Sequence, residues 1–183
     1  MGKADFHSTT ILAVKFRGSV VFVGDGQVTF QNTIVKHGAS KIRKLQDGSV
    51  LTGFAGSAAD SFTLFERFEM KLKEHGGQLG RAAVELAKDW RMDRALRKLE
   101  AMMIVGNAES LFLLSGGGDV IQPDDGVLAI GSGGNFALAA ARALIRVDQL
   151  DLSAREVGIR AMTVAAEICP FTNDRFVVEE ISE

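Results

Sequence analysis

Two short unbroken apolar runs, Ile11-Leu12-Ala13-Val14 and Val20-Val21-Phe22-Val23, flank Arg17-Gly18-Ser19 near the start of the chain. A strand with one wet face alternates apolar and polar residues, whereas a run without alternation reads as a strand covered on both faces. The link around Gly18 predicts a hairpin. Any fold for this chain must therefore bury its first hairpin between two apolar layers.

The rest of the chain offers those layers. A second hairpin is predicted at Lys41–Leu45 and Val50–Phe54, turning at Gln46-Asp47-Gly48. Ser57–His75 reads as a helix with an apolar stripe of Phe62, Phe65, Phe68 and Leu72, stopped by Gly76-Gly77. Arg81–Leu99 reads as a second helix, with Ala83, Leu86, Ala87, Trp90 and Leu96 near helical spacing. Strands are predicted at Met102–Val105, Leu111–Leu114, Val120–Gln122 and Val127–Ile130, with a turn at Gly116-Gly117-Gly118-Asp119. A third helix runs through Phe136–Arg146, a capping box at Ser153-Ala154-Arg155-Glu156 opens a fourth, and Arg175–Ile181 is the last strand. Strands do not alternate one-for-one with helices, which disfavours a doubly wound parallel sheet. The pattern predicts an α+β chain: two stacked antiparallel sheets sandwiched between helical layers, a four-layer αββα order.

Size and charge narrow the function classes. At 183 residues the chain is the length of one domain, and no repeat or low-complexity tract divides it. A net charge of −2 argues against a nucleic-acid or anionic-membrane binder working by bulk charge. With one cysteine, Cys169, there is no internal disulfide and no multi-cysteine zinc site. No apolar run is long enough to span a membrane. The first eight residues have no apolar run either and read as a short polar leader rather than a secretory signal, so the expectation is a cytoplasmic protein.

The familiar constellations for chemistry are missing. His7, His37 and His75 lack metal-ligand spacing, there is no P-loop, and Gly131-Ser132-Gly133-Gly134 does not match the dinucleotide fingerprint. What remains is Thr9-Thr10 at the head of a buried strand, just behind the leader. Cleavage between Ser8 and Thr9 would give Thr9 both a hydroxyl and a free α-amine. That amine, with an unperturbed pKa of about 7.7–8.0, could take the hydroxyl proton near neutral pH. A nearby cation would lower its pKa further. By themselves these residues leave the plain reading open, since paired threonines also suit a strand for their β-propensity.

Several segments change that balance. Thr9-Thr10-Ile11, Gly24-Asp25-Gly26-Gln27-Val28-Thr29, Gly53-Phe54-Ala55-Gly56, Thr63–Glu69, Ala82–Arg91 and Ala129–Gly134 together resemble the HslV (ClpQ) peptidases. These are proteasome β-type N-terminal-nucleophile hydrolases, and the resemblance runs from about residue 6 to the C-terminus. It implies residues 1–8 as a propeptide and 9–183 as a single peptidase domain. It further implies a threonine endopeptidase with Thr9 as nucleophile, Lys41 keeping its amine neutral and Asp25 orienting Lys41. Ser132 would hydrogen-bond near the amine, and the Gly53 N–H would support the oxyanion. Ala166, Cys169 and Thr172 would hold a monovalent cation, sodium, through backbone carbonyls. No ATP is expected on this subunit.

The resemblance also implies a homo-oligomer of two stacked hexameric rings, a dodecamer. A hexameric ATPase, HslU, would feed it unfolded or tagged cytosolic proteins. Two departures stand out. Pro170 follows Cys169 where family members usually carry Ile or Val. Many members begin Met-Thr-Thr, whereas removing Met1 here exposes Gly2 and leaves Thr9 blocked, with Ser8 a rival nucleophile. Read from residues alone, Ser132 is a helix N-cap, Asp25 a turn aspartate, Lys41 a solvated strand lysine and Gly53 a strand-end glycine. Three other functions stay open: a small-molecule amidase of the same nucleophile type, an unprocessed ring scaffold, and an anion-binding module using Gly131-Ser132-Gly133-Gly134 at a helix N-terminus.

Overall fold

The computed structural model describes residues 6–7, 9–56, 58–94, 96, 99, 101–147 and 149–182. The chain enters through a two-residue strand, β1 (Phe6–His7), followed by β2 (Thr10–Phe16) and β3 (Ser19–Gly24). A hairpin of β4 (Val28–Phe30) and β5 (Thr33–Lys36) comes next, then β6 (Ile42–Leu45) and β7 (Val50–Ala55). Two helices, α1 (Ala58–Glu74) and α2 (Leu79–Met92), lead to β8 (Met102–Gly106), β9 (Leu111–Ser115), β10 (Val120–Ile121) and β11 (Val127–Gly131). The chain ends with α3 (Gly134–Ile145), α4 (Ala154–Ile168) and β12 (Val177–Ser182).

Among the described residues every strand pairing is antiparallel. One sheet has the order β11-β2-β3-β12, a second β10-β9-β8-β7-β6, and a small third β1-β4-β5. Alternation along the buried strands sorts side chains into layers, because successive residues point to opposite faces. Leu12, Val14, Val21 and Val23 face α3 and α4, together with Ala137, Ala141, Val157 and Ala161. Ile11, Ala13, Val20 and Phe22 face the other way and meet Leu51 and Ile104 of the second sheet. That sheet turns Val50, Phe54, Met103 and Val105 toward Phe68, Leu72, Leu86 and Trp90 of α1 and α2. The four-layer αββα order is the result, as the apolar runs require.

Two local expectations need correction. Phe62 is exposed rather than part of the α1 stripe. Its ring lies 4.6 Å from the Arg43 guanidinium, which also sits 5.0 Å from Phe65. The second helix ends at Met92 rather than Leu99, because Asp93 is extended and its carboxylate accepts the Leu96 N–H, starting a separate turn. The sheet β1-β4-β5 was not foreseen at all. Its hairpin turns on Gln31, a non-glycine residue with φ +53°, and the four residues of β5 are all exposed. The expected helix start at Ser57 lies outside the described residues, as do leader residues 1–5, Ser8 and positions 95, 97 and 98.

Candidate active site

The fold assembles the site where β2 begins, between the end of β3 and the start of β6. Asp25 follows β3 directly, and its own N–H donates to the Thr10 carbonyl at 3.1 Å. Its side chain has no exposed surface. A buried carboxylate needs donors on its lone pairs, and three are present. Oδ1 accepts from the Thr10 N–H at 2.7 Å and from Lys41 Nζ at 2.7 Å, and Oδ2 accepts from the Gln27 N–H at 2.9 Å. Asp25 is thus no turn aspartate in water, and Lys41, with 9% of its side chain exposed, is no solvated strand lysine. Burial lowers the Lys41 pKa below its ordinary value, with the Asp25 charge and hydrogen bond pulling the other way.

The loop after β11 closes the other side. Ser132 donates its backbone N–H to the Thr9 carbonyl at 2.9 Å. The Gly133 N–H donates to Thr10 Oγ1 at 2.8 Å. The N-cap of α3 is Gly133, so the reading of Ser132 as the cap is corrected. The N–H groups of Ser132 and Gly133 are directed to the chain's own Thr9 and Thr10 rather than to a bound anion. Gly131 has φ +89°, and a β-carbon there would fall 1.7 Å from the Thr9 carbonyl oxygen. Only glycine permits that approach.

Gly53 sits in β7, in register with Ile42 on β6 and Ile104 on β8. Ile42 is the first residue of β6, so Phe54 and Ala55 run on past its end beside Lys41. The absent side chain of Gly53 faces the inter-sheet core, where a β-carbon would lie 2.9 Å from Ile11 Cγ2. Packing accounts for glycine at this position without any substrate.

Ala166, Cys169 and Thr172 cluster at the C-terminal end of α4. Cys169 is extended and caps the helix, and Thr172 donates its N–H to the Cys169 carbonyl at 3.0 Å. The turn therefore carries Pro170 at its second position, where a fixed φ suits the geometry and no N–H is needed. Ala166 lies in the last turn of α4, Cys169 is its cap and Thr172 closes the turn that follows; backbone carbonyls of this kind suit a hard monovalent cation. The turn is tied to the site through two bonds: Gln27 Nε2 donates to the Pro170 carbonyl at 3.0 Å, and Thr172 Oγ1 lies 2.7 Å from Thr10 Oγ1. The side chains of Thr10 and Thr172 went unnoticed in the sequence, 162 residues apart, where nothing pairs them.

Comparison with known proteins identifies the family. The family model for the proteasome subunit matches residues 5–181. The chain is 62% identical to the ATP-dependent protease subunit HslV of Brevibacillus brevis, covering 97% of this chain and 98% of that one. It is 59% identical to the ATP-dependent protease subunit ClpQ of Bacillus subtilis, over 97% and 99% of the two chains. Among solved structures, eukaryotic HslV from Trypanosoma brucei superposes with a TM-score of 0.89 at 49% identity, over 95% of this chain and 99% of that one. The chain belongs to the proteasome-subunit family, in its HslV/ClpQ branch of threonine-type protease subunits.

Proposed function

We propose that the chain is the peptidase of a two-component ATP-dependent protease and that Thr9, freed by removal of residues 1–8, is its nucleophile. The observation that carries this reading is the convergence of the Thr10 N–H and Lys41 Nζ on one oxygen of Asp25, each at 2.7 Å. That junction fixes the backbone next to Thr9 and a buried cation in the same place.

In the reaction, Thr9 Oγ attacks the peptide carbonyl carbon while its proton passes to the Thr9 α-amine. The oxyanion is stabilised by the Gly53 N–H at the end of the β6–β7 ladder. The C–N bond then breaks, and the departing amine takes the proton from the α-amine. Water adds to the Thr9 ester with the same amine as base, releasing the acid and restoring the hydroxyl. Lys41, oriented by Asp25, keeps the α-amine neutral through its charge. Ser132 supports the site beside Thr9. The carbonyls of Ala166, Cys169 and Thr172 would hold a structural sodium ion, which would stiffen the turn carrying Thr172.

The relatives' names support an ATPase partner of the HslU type, which would deliver unfolded proteins. A closed double ring of six plus six subunits would confine the sites, and cytoplasmic residence fits such a machine. Among the described residues no helix is long and apolar enough to cross a membrane. Intact-mass measurement of protein co-produced with the ATPase tests the nucleophile: the mature chain should begin at Thr9, and Thr9→Ala should abolish peptide cleavage. A working particle whose chain starts upstream of Thr9 would refute the assignment.

A further inference from the structure

Asn173 lies just past the turn at the end of α4, far in sequence from the groups it touches. Its Oδ1 accepts the Gly26 N–H at 3.1 Å and the Arg175 N–H at 3.2 Å, and its Nδ2 donates to the His37 carbonyl at 3.0 Å. Gly26 is the residue after Asp25, and His37 heads the short segment that leads to Lys41. The two segments already touch: Ala39 N–H donates to the Gly26 carbonyl at 2.9 Å. A β-carbon on Gly26 would come within 2.3 Å of the His37 carbonyl oxygen. One primary amide thus spans both sides of this seam, accepting from one and donating to the other. Reversing the amide would set its NH2 against two N–H groups and its oxygen against a carbonyl, so the orientation is determined.

We propose that Asn173 is a positioning residue for peptide cleavage, its amide locking the Asp25–Gly26 turn to the His37–Lys41 segment so that Lys41 Nζ stays on Asp25. The inference rests on the reading of Thr9, Asp25 and Lys41 given above. Neither segment is part of a helix, and besides the amide the seam is held by the Ala39 N–H on the Gly26 carbonyl, so a lost amide lets one side slide on the other. Such a slip displaces the Lys41 charge from Thr9.

The test uses the leader-processed particle assembled with its ATPase, a short chromogenic peptide, and rates normalised to the amount of Thr9 labelled by a peptide epoxyketone. Asn173→Ala removes the amide. Asn173→Asp keeps the acceptor for Gly26 and Arg175 but sets a carboxylate oxygen against the His37 carbonyl, and it decides the matter if the alanine variant fails to assemble. Both should lower kcat about 10- to 100-fold, the scale of an ångström-sized misplacement, while KM stays within about twofold. An Asn173→Asp particle with kcat within about twofold of wild type, or with its loss confined to KM, overturns the proposal. Thr9→Ala run alongside separates the two readings. Retained turnover there removes the nucleophile on which the proposal depends, whereas an inactive Thr9→Ala beside unaffected Asn173 variants overturns the role of Asn173 alone.

Discussion

The carbonyl oxygen of Thr9 occupies space that a side chain on Gly131 would need, with the ideal β-carbon position only 1.7 Å away. The Ser132 N–H, next along, holds the same oxygen at 2.9 Å. The end of β11 therefore sets where Thr9 can sit, through backbone alone.

Replacing Gly131 by alanine should accordingly be far worse than an ordinary glycine substitution. It adds a clash with backbone to a φ of +89° that L-residues disfavour, for a cost of more than about 1 kcal/mol. Thr9 is expelled from its position, and leader removal should stop. Denaturant unfolding reads the first effect and intact mass the second. A stable, fully processed Gly131→Ala particle would contradict the arrangement.

Lys41 makes a distinctive contribution to pH dependence. Burial holds its pKa below 10.5 in the native state, so between that lowered value and 10.5 the unfolded chain binds more protons than the folded one. Stability attributable to Lys41 must then rise as pH rises through this window and level off above it. Wild type compared with Lys41→Met in denaturant unfolding at stepped alkaline pH isolates the effect. At neutral pH, Lys41→Met should also lose about 3 kcal/mol, because it leaves the Asp25 charge buried without its cation.

Asp25→Asn is not a conservative exchange here. All three partners of the carboxylate are donors, and an asparagine amide has one acceptor oxygen and two donors of its own. Its NH2 must face either the Gln27 N–H or the pair from Thr10 and Lys41. The expected loss is about 1–3 kcal/mol for each donor left facing a donor, with peptide cleavage lost in parallel. Thermal melts and a peptidase assay on the same preparation measure both.

Ser153→Ala serves as a contrast far from the site. Ser153 and Glu156 form a reciprocal capping box, with the Ser153 N–H on Glu156 Oε2 at 2.9 Å and the Glu156 N–H on Ser153 Oγ at 3.2 Å. Loss of the cap should cost about 1 kcal/mol and leave kcat unchanged. The Ser153 backbone and then side-chain hydrogen bonds hold the Glu156 pKa below 4.5, so the cap's contribution is present above that pH and disappears as pH falls through the lowered value. A variant that melts like wild type at pH 7 would count against it.

How much of this could be read from the sequence follows from how local each cause is. The sandwich was legible because it depends on alternation within runs such as Ile11–Val14, where each residue has a fixed face. The capping box was legible because its two partners stand three residues apart. The extent of α2 was not, since no Gly or Pro marks the stop and the chain turns instead on the Leu96 N–H donating to the Asp93 carboxylate. The β4–β5 hairpin hid behind exposed residues and a turn without glycine. Thr9 stood out behind the leader but read equally as a β-strand threonine until the resemblance gave it a role; Asp25 and Lys41 were located by resemblance, read alone as a turn aspartate and a solvated strand lysine. The burial that makes Lys41 unusual comes from partners that folding alone brings near. For the side-chain contacts of Thr172 with Thr10 and of Asn173 with Gly26 and His37, all more than 130 positions apart, the sequence held no cue.

The leader's one described strand pairs Phe6 with Phe30 and His7 with Thr29, completing a sheet whose other members are β4 and β5. Excising residues 1–8 would strip that sheet of a member and leave a solitary hairpin, a structure of marginal persistence in water. Maturation would then do two things in a single cut: unmask an amine, and turn an interior strand into an unclaimed edge. Removal of the leader would thus reach beyond Thr9, to the β4–β5 hairpin.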